Sequence, residues 1–138
     1  DGLVTGVQTC ALPISGRWEA YTDNGRERTG QDVVTWAKRG VELGAGEILL
    51  TSVDQEGTRK GFDIPLVQQV CDAVTVPVTA SGGFGRAEDL AAIGATGVSG
   101  IAIADALHWK QMTLAEIKSH AAAAGLDVRP AAHARVCP

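Results

Sequence analysis

The residues best suited to chemistry fall in two short stretches, each a polar, glycine-rich exit from an apolar run. In the first, Ile48-Leu49-Leu50 gives way to Thr51, Ser52, Asp54, Glu56, Gly57 and Gly61; in the second, Val76-Pro77-Val78-Thr79-Ala80 ends in Ser81-Gly82-Gly83-Phe84-Gly85. Thr51, Asp54 and Glu56 could hydrogen-bond a polyhydroxylated ligand. Glycines such as Gly57, Gly82, Gly83 and Gly85, with the helix start expected at Arg86, let backbone N–H groups approach an anion with no Cβ in the way. A phosphate is the obvious anion. Phosphate sites in barrels are often built from the loops after two successive strands, which makes the turn at Ala104-Asp105 the matching partner. A carboxylate aimed at a phosphate would repel it, so Asp105 is expected to cap the short helix that follows and to offer only its backbone N–H. For the first stretch a second reading stands beside the ligand one: Asp54 opens a turn, and Glu56, Arg59 and Lys60 form a solvated charge cluster. His108 invites an acid/base role, but packing or capping outweighs it.

These residues need elements to position them. Each apolar run is short and bounded by glycine or proline, as for a strand buried on both faces of a parallel sheet. Arg17 to Thr22 alternates in character and is followed by the turn formers Asp23-Asn24-Gly25, which predicts a short hairpin. Thr29 and Asp32 make a capping-box-like start for a helix whose Val33, Trp36, Ala37 and Val41 share a face, and Gly44-Ala45-Gly46 ends it. Asp63 is a good N-cap with Pro65 in the first turn, and Leu66, Val67, Val70, Cys71 and Val74 form a buried stripe. A helix from Arg86 to Ile93 follows the second exit. Val98 to Ala104 reads as a strand, Ala104 to His108 as a helical turn, and Thr113 with Glu116 as a capping box opening a last helix to about Ala124. Trp18, Trp36 and Trp109 read as core or semi-buried packing.

Strands thus alternate with helices at a spacing that argues for βαβ units and an all-parallel sheet. Three clear units and a leading one amount to half of a (β/α)8 barrel, which takes about 250 residues; this chain has 138. Residues 1–15 show neither helical nor alternating periodicity. Val4 to Ile14 looks like the translation of a sequencing-adaptor primer, so this segment is expected to be a foreign fusion, with the half barrel over 16–130 and a mobile tail over 131–138. A natural strand through Ala11-Leu12-Pro13-Ile14 is the competing reading, one that Pro13 would confine to an edge or a strand start.

With 45% hydrophobic residues and a net charge of −4 spread along the chain, a globular α/β domain is expected rather than a nucleic-acid binder. No apolar run approaches the roughly 20 residues of a membrane span, and the N-terminus lacks a signal-peptide pattern, so a cytoplasmic location is expected. Cys10, Cys71 and Cys137 are far apart and read as free thiols, and His108, His120 and His133 form no ligand pattern, so neither metal nor cofactor is assigned.

From Gly44-Ala45-Gly46-Glu47-Ile48-Leu49-Leu50-Thr51-Ser52-Val53-Asp54-Gln55-Glu56-Gly57-Thr58-Arg59-Lys60-Gly61-Phe62-Asp63, with Ser81-Gly82-Gly83-Phe84-Gly85 downstream, the chain closely resembles the cyclase subunit family of imidazole glycerol phosphate synthase, a histidine-pathway enzyme. The match runs collinearly from about Gly16 to Pro130. The resemblance implies the C-terminal half of a (β/α)8 barrel and a lyase that uses ammonia, supplied by a glutaminase partner at the opposite end of the barrel. Its reaction turns a phosphoribulosyl aminoimidazole carboxamide ribotide into imidazole glycerol phosphate and aminoimidazole carboxamide ribotide. On this resemblance Gly57, Gly82, Gly83, Ala104 and the Asp105 position would cradle one phosphate, Thr51 and Ser81 would bind the middle of the substrate, and Asp54 or Glu56 would lie near its glycerol end. The family usually has aspartate at the Glu56 position and serine or threonine at the Asp105 position. Its acid and base are aspartates on the first and fifth strands; the fifth should precede Arg17, where the adaptor-like segment stands. A binding half with little or no activity of its own is therefore expected. The sister isomerase of the pathway shares the half-barrel pattern, but Leu49-Leu50-Thr51-Ser52 and the ending Val128-Arg129 favour the cyclase. A non-catalytic phosphate-binding half barrel that self-associates to cover its strand edges is the third reading.

Overall fold

The computed structural model describes residues 6–22 and 25–130. Four strands run parallel: β1 (Val7–Ile14), β4 (Ile48–Ser52), β5 (Val78–Ser81) and β6 (Gly100–Ala102). Between β1 and the first helix lie β2 (Arg17–Thr22) and β3 (Glu27–Asp32), antiparallel to their neighbours, so the sheet order is β3-β2-β1-β4-β5-β6. The helices are α1 (Val33–Glu42), α2 (Ile64–Ala73), α3 (Glu88–Gly94), the single turn α4 (Asp105–His108) and α5 (Leu114–Ala123). Each parallel strand is thus followed by a helix, giving four βα units, half the complement of an eight-unit barrel.

Two sequence expectations are corrected here. The sheet is mixed, not all-parallel, because Ser15 and Gly16 both take left-handed φ values (49° and 82°), the geometry of a two-residue hairpin turn that folds β2 back against β1. The competing reading of the leading segment, a strand that Pro13 confines to an edge or a strand start, is corrected in its position: Val7–Ile14 is an interior strand flanked by β2 and β4. Pro13 is tolerated there because pairing with β4 stops at Ala11–Ser52, two residues earlier, so no β4 carbonyl waits for the N–H it lacks. Asp23, Asn24 and the tail 131–138 lie outside the described residues, as do Cys137 and His133.

The helix starts follow their capping chemistry. Asp32 caps α1 by accepting from the Thr35 N–H, Asp63 caps α2 through the Leu66 N–H, and Thr113 and Glu116 complete a capping box on α5. Thr29 takes no part in α1; it belongs to β3, and its hydroxyl donates to the Ala20 carbonyl. The core forms where alternate strand residues meet the helices: Ile48, Leu50, Val78 and Ala80 pack with Leu66, Val67, Val70, Leu90 and Ile93. Trp18 and Trp36 are half-buried as expected, whereas Trp109, the C-cap of the single-turn α4, is 63% exposed.

One long-range bond ties the hairpin to the parallel sheet. The Trp18 indole N–H donates to Asp63 Oδ2 at 2.7 Å, while Oδ1 of the same carboxylate caps α2 at 3.1 Å. A Trp18→Phe substitution keeps most of the ring and removes the donor, and it should cost about 1–2 kcal/mol. Urea unfolding checks this, and an unchanged midpoint would show that the bond contributes nothing.

Candidate functional site

Parallel register aligns Cys10 with Thr51, Thr51 with Ser81, and Ser81 with Ala102, so one row crosses all four strands near their C-terminal ends. The two hydroxyl residues singled out in the sequence are therefore neighbours on one face, and both are half-buried. Just beyond this row lies a cavity of about 100 Å³ lined by Glu56, Ser81, Gly82, Phe84, Ala102, Ile103, Ala104 and Asp105. It gathers five sequence-predicted residues, Glu56, Ser81, Gly82, Ala104 and Asp105, from three different loops.

The other predicted residues lie elsewhere. Asp54 and Gly57 are exposed on the β4–α2 loop, where Gly57 has φ +71° and open space around it. Gly83 packs against the neighbouring loop, its carbonyl accepting from the Gly61 N–H at 2.8 Å. A Cβ on Gly83 would overlap the Gly61 carbonyl oxygen, and one on Gly82 would lie 2.7 Å from the Ser52 carbonyl oxygen and 3.2 Å from Glu56 Oε2. These glycines thus let the β5–α3 loop press onto the β4–α2 loop, and Glu56 folds back over Gly82. The N–H groups of Gly85 and Arg86, expected to face an anion, are already taken: both donate to Asp89 Oδ2, at 3.0 and 2.9 Å. Asp89 is buried, and its position three residues after Arg86, the spacing of a capping carboxylate, is the signal that could have found it.

Asp105 also departs from expectation. Ala104, not Asp105, is the N-cap of α4, and no side chain caps that turn. The Asp105 carboxylate instead forms an ion pair with Arg59 Nε across 46 residues, and this guanidinium holds its carboxyl below the usual aspartate range. The alternative reading of Glu56, Arg59 and Lys60 as a solvated cluster fits the exposed Glu56 and Lys60 but not Arg59, which is half-buried and bonded. A pairing at such separation leaves no local sequence signal beyond two opposite charges. His108 is exposed beside the Trp109 ring and does not line the cavity. Cys10 is buried, and its thiol is pushed up by that burial and then by the Glu56 charge.

A second cavity, of about 320 Å³, lies on the hairpin between Ile14, Arg17, Trp18, Glu19, Arg28, Gly30, Gln31 and Asp32. Its buried carboxylate is already satisfied: Glu19 pairs with Arg28 at 3.0 Å and accepts from the Gly30 N–H at 2.8 Å. Those contacts hold it below the usual glutamate range, Arg28 first among them. Among the described residues, no group of three or more His, Cys, Asp or Glu is placed to hold a metal ion, and no helix is long and apolar enough to cross a membrane.

Comparison with known proteins matches residues 3–113 to the histidine biosynthesis protein family. The chain is 66% identical over 76 residues to the imidazole glycerol phosphate synthase subunit HisF of Legionella pneumophila, a match covering 55% of this chain and 36% of that protein. It is 50% identical over 134 residues to the subunit HisF of Prochlorococcus marinus subsp. pastoris, covering 91% of this chain and 52% of the relative. With the subunit HisF of Pyrobaculum aerophilum it shares 42% identity over 129 residues, covering 90% and 51%. The chain spans about half the length of these last two relatives.

Two outcomes test this geometry. Gly83→Ala meets both a left-handed φ of +107° and the Gly61 carbonyl, whereas Gly97→Ala meets only a φ of +88° in open space. The first should therefore destabilise the chain by about 1–3 kcal/mol more than the second, and equal costs in chemical denaturation would refute the close approach. For pH, Glu19 and Asp105 both have folded values below their unfolded ones. Their contribution is complete above the ordinary carboxylate range, about 4, and is lost as pH falls through the depressed folded values. The thermal midpoint should drop below about pH 4, and Glu19→Gln should flatten that drop; an equally steep drop in the variant would contradict the assignment.

Proposed function

The chain belongs to the histidine biosynthesis protein family, and on that premise we propose that its four βα units form the substrate-holding half of an imidazole glycerol phosphate synthase cyclase. The substrate is then a phosphoribulosyl aminoimidazole carboxamide ribotide, cyclised with ammonia to imidazole glycerol phosphate and aminoimidazole carboxamide ribotide. A single observation carries this reading: Ser81, Gly82, Ala104, Asp105 and Glu56, from three successive strand exits, line one cavity at the C-terminal end of the parallel strands, where α/β folds bind their ligands. Its volume of about 100 Å³ suits one terminal group, such as a phosphate, rather than the whole substrate. Thr51 and Ser81, adjacent on the lining row, would meet the middle of the substrate. Asp54 and Gly57, on the outer part of the loop, would close over its glycerol end and its phosphate only if that loop moved inward. The relatives are named as a synthase subunit, which supports a glutaminase partner delivering ammonia from the N-terminal ends of the strands.

Binding and chemistry divide in this chain. Cyclisation needs a general acid and a general base, each contributing about 10²–10⁴-fold. β1, the strand preceding the hairpin, reads Val-Gln-Thr-Cys-Ala-Leu-Pro-Ile and carries no carboxylate; its row neighbour to Thr51 is a thiol, Cys10, pushed away from ionisation. The proposed role of this chain by itself is therefore to bind the ligand, with cyclisation slowed by at least about 10²-fold for want of that acid. Ammonia-dependent turnover of the bis-phosphate substrate, measured beside binding of the same substrate, tests both halves of the reading. Binding with turnover at least about 100-fold below a full-length cyclase is expected. Full-rate turnover would overturn the assignment of the missing acid, and absence of binding would overturn the cyclase reading itself.

A further inference from the structure

The cavity poses an electrostatic problem for an anionic ligand, because both of its charged lining residues, Glu56 and Asp105, are carboxylates. A phosphate dianion placed there needs a cation. Arg59 is the cation bonded to the cavity's lining, and its loop is held in place. Arg59 does not itself line the cavity, but its guanidinium is bonded through Nε to Asp105, which does, so the whole rigid planar group is fixed beside a lining residue. The Arg59 backbone takes φ +57°, a left-handed conformation that a non-glycine residue adopts at a cost. Its carbonyl and Cβ press on Gly85, where a Cβ would overlap them. The loop just before it is also tied: the Thr58 hydroxyl donates to the Gln55 carbonyl at 2.9 Å and accepts from the Lys60 N–H at 3.2 Å.

We propose that Arg59 is the cationic ligand of the phosphate group in this cavity, and that Asp105 is a positioning residue that holds the guanidinium with its terminal nitrogens free for the anion. The proposal rests on the phosphate reading above and adds a residue to it. Of the five guanidinium N–H groups, Asp105 engages the one on Nε. Among the described residues the structure gives Nη1 and Nη2 no partner, so the face that suits a phosphate is the one left open. Asp105, which alone would repel a phosphate, becomes in this arrangement the anchor of the group that attracts one. This also gives a physical reason for an aspartate at a position where a hydroxyl would otherwise be expected: the carboxylate and the arginine act as a pair.

Inorganic phosphate is the probe, titrated into the full 138-residue chain and its variants and followed by phosphorus NMR and by the ligand-induced rise in thermal midpoint. Arg59→Gln should weaken binding about 10–100-fold, the loss expected for a charge-assisted contact. Asp105→Ala should weaken it about 5–10-fold by releasing Arg59, and Asp105→Asn, whose amide oxygen still accepts from Nε, should recover it. Unchanged binding in Arg59→Gln overturns the role of Arg59, and tighter binding in Asp105→Ala overturns the positioning role by showing Asp105 to be only a repulsive charge. If Arg59→Gln does not fold, Arg59→Lys replaces it. That variant keeps the charge and loses the planar fork, and it should weaken binding about 3–10-fold; no loss would again count against the proposal. Failure of the unsubstituted chain to bind phosphate would instead sink the parent reading.

Discussion

The architecture of the site depends on one close contact, the Gly61 N–H donating to the Gly83 carbonyl at 2.8 Å between the loops that leave β4 and β5. Neighbouring strands in a parallel sheet bring their exits near each other, but side chains would normally keep the two loops apart. Here Gly82, Gly83 and Gly85 have no Cβ where one would strike Ser52, Gly61 or Arg59. The loops therefore lock together, Glu56 folds over Gly82, and the β6 exit with Ala104 and Asp105 closes the third side of the cavity. Asp89 reinforces the arrangement from below by tying the Gly85 and Arg86 N–H groups. Preorganisation of this kind removes ordering costs that a flexible loop would meet on binding.

Much of the fold was legible because its signals are local. Asp63 before Pro65, and Thr113 three residues before Glu116, announce helix starts through hydrogen bonds that span three residues, and both bonds are present. The apolar runs ending at Ser52 and Ser81 are strands, as their length and their glycine or proline bounds suggest, but burial on both faces does not hold: Ile48, Leu50, Val78 and Ala80 face the helices, while the residues between them are only half-buried. β1 was not legible for a complementary reason. It pairs antiparallel on one side and parallel on the other, and its burial has three consecutive buried residues, Thr9, Cys10 and Ala11, so neither alternation nor a continuous apolar run appears. Trp109, which its aromatic ring alone would place in the core, ends a single helical turn and is exposed.

The site was legible in composition more than in role. Glycines at a strand exit mark a place where backbone must come close to something, and the sequence cannot say whether that partner is a ligand or another loop. For Gly83 it is Gly61; for Gly82 it is both Ser52 and the cavity. Asp105 was assigned a local job, capping, since its actual partner is Arg59, 46 residues earlier. Arg59 acts through a partner in another loop, which no spacing rule encodes, whereas Asp89 accepts from N–H groups three and four residues before it, a local spacing that the capping-box pattern could have flagged.

In the proposed function, holding the substrate and transforming it are separate tasks. Hydroxyls, glycines and an arginine–aspartate pair gather where the parallel strands end, while β1 carries a buried thiol and no carboxylate. The most direct test is a crystal structure of this chain with the bis-phosphate substrate. The account predicts one phosphate in the cavity between Ser81, Gly82 and Ala104, with the ligand body running past Thr51. A phosphate found instead in the hairpin cavity beside Trp18 and Arg28, with the strand-end cavity empty, would contradict it.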